Sequence, residues 1–289
     1  MKNFLPVSIT KMSGAGNTFA LIDARKNSAW EDVEKALGMS RPQFAKMICD
    51  KVLGVSVDGL LLIESGSENF DYGWDFYNSD GSTAEMCGNA ARCAARFCFE
   101  NLDDCDGEKS TFNFKTGAGL VVAQVFGDGK IRVRMPEAYF VQEHMELKTK
   151  SSSTEVFALV NTGVPHLVQR IHNISDAVAL KEMAREVRAH HDLQPAGANV
   201  TFYAPEAAGK IRAVTFERGV EDYTLACGTG AVAAALVYAK ETHEEQVQVQ
   251  VQMPGGNMQI VFLKDDAHPL MIGDAVFVGD FKYNLEVIR

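Results

Sequence analysis

The sequence predicts an α+β protein made of two similar halves, and three observations predict it. First, a stretch containing a Cys-Gly pair occurs twice: Glu85 to Phe99 (EMCGNAARCAARFCF) and Leu225 to Ala239 (LACGTGAVAAALVYA). The two cysteines, Cys87 and Cys227, lie about half a chain apart, and each precedes an alanine-rich, helix-forming segment. Second, matching elements flank both copies in the same order. Upstream is a polar glycine turn (GAGN, Gly14 to Asn17; NTGVPH, Asn161 to His166), then a strand-like run ending in polar residues (DFYNSDG, Asp75 to Gly81; VTFERG, Val214 to Gly219). Downstream is another glycine turn (KTGAG, Lys115 to Gly119; MPGGN, Met253 to Asn257). Elements recurring in one order mark structural repeats. Third, much of the remaining chain alternates apolar and polar residues with the period of a strand. The predicted domains are residues 1–125 and 126–270, each with strands around the helix that starts at its cysteine.

Taken in order, residues 1–24 read as strand, turn and strand around GAGN, whose glycines allow close backbone approach. Residues 30–52 read as a helix or helix pair, with Ser28 as an N-cap and Pro42 opening a second helix that Gly54 ends. VSVDGLLLIESG follows as a strand that begins after Asp58-Gly59, a structural turn. Tyr72 to Tyr77 is a strand broken by Asn78-Ser79-Asp80-Gly81. TFNFKT, LVVAQVF and KIRVRM are strands, the last two joined as a hairpin by Gly127 to Gly129. The polar run EHMELKTKSSSTEV reads as a surface loop or domain connection. Phe157 to Val168 is strand, sharp turn and strand; residues 175–190 form a polar helix with Ser175 as its N-cap. GANVTFY and RAVTF are strands, QVQVQVQMPGGNMQIVFL is a hairpin, and AVFVGDFKYNLEVIR is a final strand.

Composition narrows the function. The 289 residues carry a net charge of −10, which argues against a nucleic-acid or anionic-membrane partner. The N-terminal MKNFLPVSITKMSGAG has no apolar core of an export signal, and the most apolar helix, after Cys227, is too short to span a bilayer. Six cysteines without such a signal point to free thiols in the cytoplasm. The four between Cys87 and Cys105 lack paired C-x₂-C spacing, so Cys93 and Cys98 read as small buried residues rather than metal ligands. His190-His191 lacks a third ligand and reads as a surface pair, so no metal is assigned.

The repeated cysteines carry the chemistry. A cysteine at a helix N-terminus sits at the positive end of the dipole, which stabilises a thiolate. The N–H groups that follow, at Gly88, Asn89, Gly228 and Thr229, can hold a substrate carboxylate. Two halves bringing one such cysteine each to a shared cleft would suit inversion of a stereocentre. One thiolate removes a Cα proton, and the opposite thiol returns a proton to the other face. Two such groups titrate as a coupled pair. Glu217-Arg218 ends its strand where Asn78 ends the matching one. Arg218 can bind a carboxylate bidentately, and Glu217 can bind an ammonium and polarise His166. Read on residue type alone, Asn17 and Asn78 are turn formers.

The motifs KMSGAGNTF, FYNSDGSTAEMCGNAARC, NTGVPH, GANVTF, ERGVEDYTLACGTG and MPGG, in this order, resemble the diaminopimelate epimerase family over nearly the whole chain. The resemblance implies a pair of pseudo-symmetric, barrel-like domains of antiparallel strands around central helices, with the tail at about 271–289 returning to the first. It implies cofactor-independent epimerisation of LL-2,6-diaminopimelate to the meso form, in lysine and peptidoglycan precursor synthesis, by a homodimer. It makes Cys87 and Cys227 the acid/base pair and places His166 beside a catalytic cysteine. It assigns substrate contacts to Asn17, Asn78 and Asn199 and to the backbone of Gly88 and Asn89. The family often has asparagine where this chain has Val164, and Ala90 replaces a usual glycine. The nearest rivals, proline and hydroxyproline racemases, show MCGHG-like motifs where this chain has MCGNA. A thiol redox or binding protein is the alternative from another class.

Overall fold

The structure is a computed structural model that describes residues 6–26, 28–102, 110–242 and 247–288. Cys105 and the first five residues of the N-terminal reading lie outside the described residues. The chain divides into two units, Met1–Val133 with Asp274–Arg289, and Arg134–Gly273.

In the first unit the strands are β1 (Val7–Gly14), β2 (Asn17–Asp23), β3 (Gly59–Ser67), β4 (Phe70–Asn78), β5 (Thr111–Thr116), β6 (Gly119–Val125), β7 (Lys130–Arg134) and the C-terminal β17 (Val276–Tyr283). They pair in the order β17-β1-β2-β3-β4-β5-β6-β7, antiparallel except at β2/β3 and β4/β5. A parallel join requires a crossover, and each carries at least one helix. Helices α1 (Trp30–Leu37) and α2 (Arg41–Cys49) connect β2 to β3; α3 (Gly88–Asn101) connects β4 to β5. Ser40 and Gln43 form a capping box at the start of α2, with Pro42 in its first turn. Ala20, Ile22, Leu60 and Leu62 pack under α1 and α2. Side chains alternate faces along a strand, so Leu21 and Leu61, equally buried, point to the face where α3 lies. Burial on both faces explains the unbroken apolar run of β3.

The second unit repeats this plan. Its strands are β8 (Tyr139–Lys148), β9 (Thr154–Asn161), β10 (Pro165–Arg170), β11 (Asn199–Ala207), β12 (Lys210–Glu217), the two-residue β13 (Asp222–Tyr223), β14 (Val247–Met253), β15 (Gly256–Leu263) and β16 (Asp266–Asp274). The order is β8-β9-β10-β11-β12-β14-β15-β16, antiparallel except at β10/β11 and β12/β14. The crossover from β10 to β11 carries α4 (Lys181–Arg188), and that from β12 to β14 carries α5 (Gly228–Thr242). Leu167, Val200, Phe202 and Phe216 pack with Ala184 and Val187 of α4; α5 lies against β9 to β12, β14 and β15.

Several elements differ from the sequence reading. The division falls after Val133 rather than 125, because β7 pairs with β6. EHMELK is part of strand β8, and only residues 149–153 turn before β9. Exposure of most β8 side chains gave the segment its loop-like composition. Ser175 does not cap a long helix. Asn173 Oδ1 accepts from the Ser175 N–H at 3.1 Å in a 3₁₀ turn, and α4 begins at Lys181. The second α-helix stops at Cys49, short of Gly54. Among the described residues no helix is long and apolar enough to cross a membrane.

Helices α3 and α5 present small residues to their sheets. Ala91, Ala94, Ala95 and Cys98 in one, and Ala231, Ala233, Ala234 and Ala235 in the other, have no exposed surface. Larger side chains would force helix and sheet apart. Ala94→Leu should therefore lower stability by about 1–3 kcal/mol in urea unfolding, the usual cost of overpacking. An unchanged urea midpoint would contradict this packing.

Candidate functional site

Strand register builds a polar cluster in the second unit. His166 on β10 pairs with Asn199 on β11, and Thr201 on β11 pairs with Thr215 on β12. Two-residue spacing puts His166, Asn199, Thr201, Thr215 and Glu217 on the face opposite Leu167, Val200 and Phe216, toward α5. There they meet the start of that helix. Cys227 immediately precedes α5; its carbonyl accepts from Ala231 N at 2.9 Å, and its buried sulfur from Gly230 N at 3.4 Å. Sγ also lies 3.4 Å from Thr229 Oγ1, which is 3.0 Å from His166 Nε2. His166 Nδ1 is 3.0 Å from Thr201 Oγ1, itself 3.0 Å from Thr215 Oγ1. Asn199 Nδ2 approaches Nε2 at 3.3 Å, and its Oδ1 accepts from Arg218 N at 2.9 Å.

Burial sets the charge states here. His166 has no exposed surface, and desolvation, reinforced by the nearby Arg218 charge, holds its pKa down to about 3. The imidazole is neutral near pH 7. Burial pushes the Glu217 carboxyl above the usual carboxylate range, opposed by hydrogen bonds from the Thr224 hydroxyl and the Cys227 thiol. Glu217 thus engages Cys227 directly, while His166 reaches that sulfur through Thr229. Arg218 is exposed, and its Nη1 donates to Ala196 O at 2.7 Å.

The first unit has a different arrangement at the same position. Cys87, half-buried, is the N-cap of α3 with extended backbone (φ −144°, ψ 124°). Asn89 donates from Nδ2 to Asn17 Oδ1 at 2.7 Å and accepts from Arg92 Nη2 at 2.8 Å. Arg92, fully buried, also donates to Asp274 O at 3.1 Å and Gly88 O at 3.4 Å, within Coulombic reach of Cys87. A Cβ on Gly14 would sit 2.8 Å from Asn89 O, so the β1–β2 turn can press on the helix start only with glycine there. Asn78 is exposed, and its Nδ2 donates to Ser82 Oγ at 3.0 Å.

Within the first unit, the structure thus joins Asn17 to Asn89, and places Gly88 and Cys87 at the same helix start; Asn78 stays in its own turn. In the second it joins His166, Asn199, Glu217, Cys227 and Thr229, with Gly228 between the last two. Asn199 turns one amide hydrogen toward His166 and accepts from the Arg218 backbone. Asn161 Oδ1 accepts from Gly163 N at 2.9 Å, which turns that side chain into its own loop beside Val164. Sequence reasoning missed Thr201, Thr215 and Arg92. The threonines are legible as polar residues at two-residue spacing on an inward strand face, and Arg92 as a charge inside an alanine-rich helix. Cys93 is fully buried, its pKa pushed up to about 12 by desolvation. The third ligand that His190-His191 lacked is their neighbour Asp192: the three offer donor atoms within 4.8 Å. That carboxylate lies 3.4 and 3.1 Å from the two imidazoles, and His191 is exposed.

The raised Glu217 pKa carries a stability sign. The folded state holds the proton more tightly than the unfolded chain, so this contribution is full below the unfolded value of 4.5 and is lost as pH rises through the folded value. Glu217→Gln should melt higher than wild type near pH 8, and that advantage should vanish below pH 4.5. A difference independent of pH in thermal unfolding would refute it.

Comparisons with known proteins agree with this architecture. The model of the family described as "Diaminopimelate epimerase" matches residues 9–141 and 158–278. A diaminopimelate epimerase of Aquifex aeolicus is 36% identical over 92% of this chain and 94% of its own. One from Hydrogenobaculum is 38% identical over 79% and 81%. Among solved structures, a probable proline racemase from Agrobacterium radiobacter shares the fold, with a TM-score of 0.67 over 97% of this chain and 93% of that one at 14% identity. The chain belongs to the diaminopimelate epimerase family.

Proposed function

We propose that this chain converts LL-2,6-diaminopimelate to the meso isomer without a cofactor, with Cys87 and Cys227 as its two acid/base groups. It is an amino-acid epimerase, an isomerase of lysine biosynthesis. One observation carries the reading: in both units the cysteine holds the same structural position, directly before the first turn of the helix that links two parallel strands.

The chemistry requires one proton acceptor and one donor, on opposite faces of Cα. In the reading, one thiolate takes the α-proton and the other cysteine, as thiol, returns one to the opposite face. Which cysteine is thiolate alternates with the direction of reaction. The N–H groups at Gly88, Asn89, Gly228 and Thr229 hold the reacting carboxylate and stabilise the negative charge that develops on it. Glu217 and His166 set the protonation of Cys227. Glu217 also serves the substrate ammonium, and Arg218, with Asn17, Asn78 and Asn199, serves the distal end.

The test is incubation with LL-diaminopimelate in D₂O, without added cofactor, following deuterium at Cα by mass spectrometry. Deuterium at one stereocentre of the meso product is expected, falling ~10²–10⁴-fold in Cys87→Ser and Cys227→Ser. Exchange with proline instead would keep the mechanism and replace the substrate. No exchange with any amino acid would sink the reading. Arg218→Ala should raise KM at least about tenfold, the loss of a charged hydrogen bond, and an unchanged KM would remove it from the binding site.

A further inference from the structure

We propose that Asn199 and Thr201 are positioning residues that lock His166 in the tautomer carrying its proton on Nδ1, and so fix how the Thr229 hydroxyl faces Cys227. The catalytic consequence rests on the reading of Cys227 as an acid/base group; the tautomer does not.

A backbone N–H can only donate. Arg218 N lies 2.9 Å from one end of the Asn199 amide, so that end is the oxygen. The other end is then the NH₂ group, and it faces His166 Nε2 at 3.3 Å as a donor. Nε2 must therefore present its lone pair. A neutral imidazole carries one proton, which leaves it on Nδ1. Nδ1–H donates to Thr201 Oγ1 at 3.0 Å, and that hydroxyl shares a hydrogen bond with Thr215 Oγ1 at 3.0 Å. Gly230 keeps this chain in place: a Cβ there would lie 2.2 Å from Thr215 Oγ1.

The lock reaches Cys227 through Thr229. With Nε2 an acceptor, the Thr229 hydroxyl 3.0 Å away donates to it and turns its own lone pairs toward Sγ, at 3.4 Å. No hydroxyl proton then points at the sulfur, and the single thiol proton is left to donate to the Glu217 carboxyl or to the Thr229 oxygen. When Cys227 gives its proton to the substrate carbon, the S–H bond breaks and the C–H bond forms. The Thr229 hydroxyl can then rotate to donate to the thiolate, alongside the Gly230 N–H. Asn199 still donates to Nε2, so no buried acceptor is left bare. His166 stays neutral throughout. Of the titratable groups around this sulfur in the unit, Glu217 contacts it directly and His166 only through Thr229; Arg218 follows Glu217 at the strand end.

The experiment is long-range ¹H–¹⁵N NMR of protein labelled in its histidines, with His166 assigned by its disappearance in His166→Gln, combined with kinetics of Thr201 variants. Wild type should show a protonated Nδ1 and an unprotonated Nε2 near neutral pH. Thr201→Val should mix the tautomers and lower kcat about tenfold, the worth of one buried hydrogen bond, with KM within about twofold. Thr201→Ser should restore both signals. A wild-type ring protonated on Nε2 or on both nitrogens would overturn the proposal. So would a Thr201→Val protein with tautomer and kcat unchanged, or failure of the serine variant to rescue. Loss of epimerase activity in the wild type itself would instead count against the functional reading, leaving the tautomer to be judged by its own spectrum.

Discussion

The structure depends on one constraint: in each unit a helix must lie against the sheet while its first turn meets the strand ends. That is possible because α3 and α5 present alanine, glycine and cysteine inward. Each helix is the crossover between two parallel strands, and it starts after residues 79–87 that follow β4 in one unit and 218–227 that follow β12 in the other. The cysteines inherit their positions from that connection. Their carbonyls accept the first helical hydrogen bonds, from Ala91 and Ala231, at 2.9 Å each.

The same strand plan carries different chemistry in the two units. The position of His166, paired to Asn199, is held in the first unit by Phe19, paired to Gly59. Phe19 packs edge-on against Phe76, which holds the place of Thr215. One helix start therefore rests on an aromatic pair and the other on hydroxyls and an imidazole. Gly230 and Ala90 follow the same logic, since the threonine behind Gly230 leaves no room for a methyl group. The buried Arg92 gives the first unit a fixed positive charge that the second lacks at the matching position, Val232.

Burial drives the two titratable neighbours of Cys227 toward their uncharged forms, Glu217 upward and His166 downward. Both shifts share a cause, the cost of a charge away from water. For Glu217 two donors offset part of that cost. For His166 the neighbours are hydroxyls and an amide, which satisfy a neutral ring.

By itself the sequence determined the repeat, the helices at Cys87 and Cys227, most strands and the family. These are local properties: propensity, period-two alternation, glycine turns and motif order are written in neighbouring residues. Single residues were harder. Asn199 and Asn17 had matching motifs, yet their hydrogen-bond partners, His166 and Asn89, lie far away in sequence. Thr201, Thr215 and Arg92 had no motif, because a polar residue on an inward strand face or a buried guanidinium is defined by what it packs against. The EHMELK part of the polar run read as a surface loop or domain connection, since an exposed strand has the composition of a loop. Tertiary structure alone decided which side chains meet and which lose water. Hydrogen-bond direction, tautomer and pKa all follow from that placement, because each depends on atoms brought within about 3 Å from distant parts of the chain.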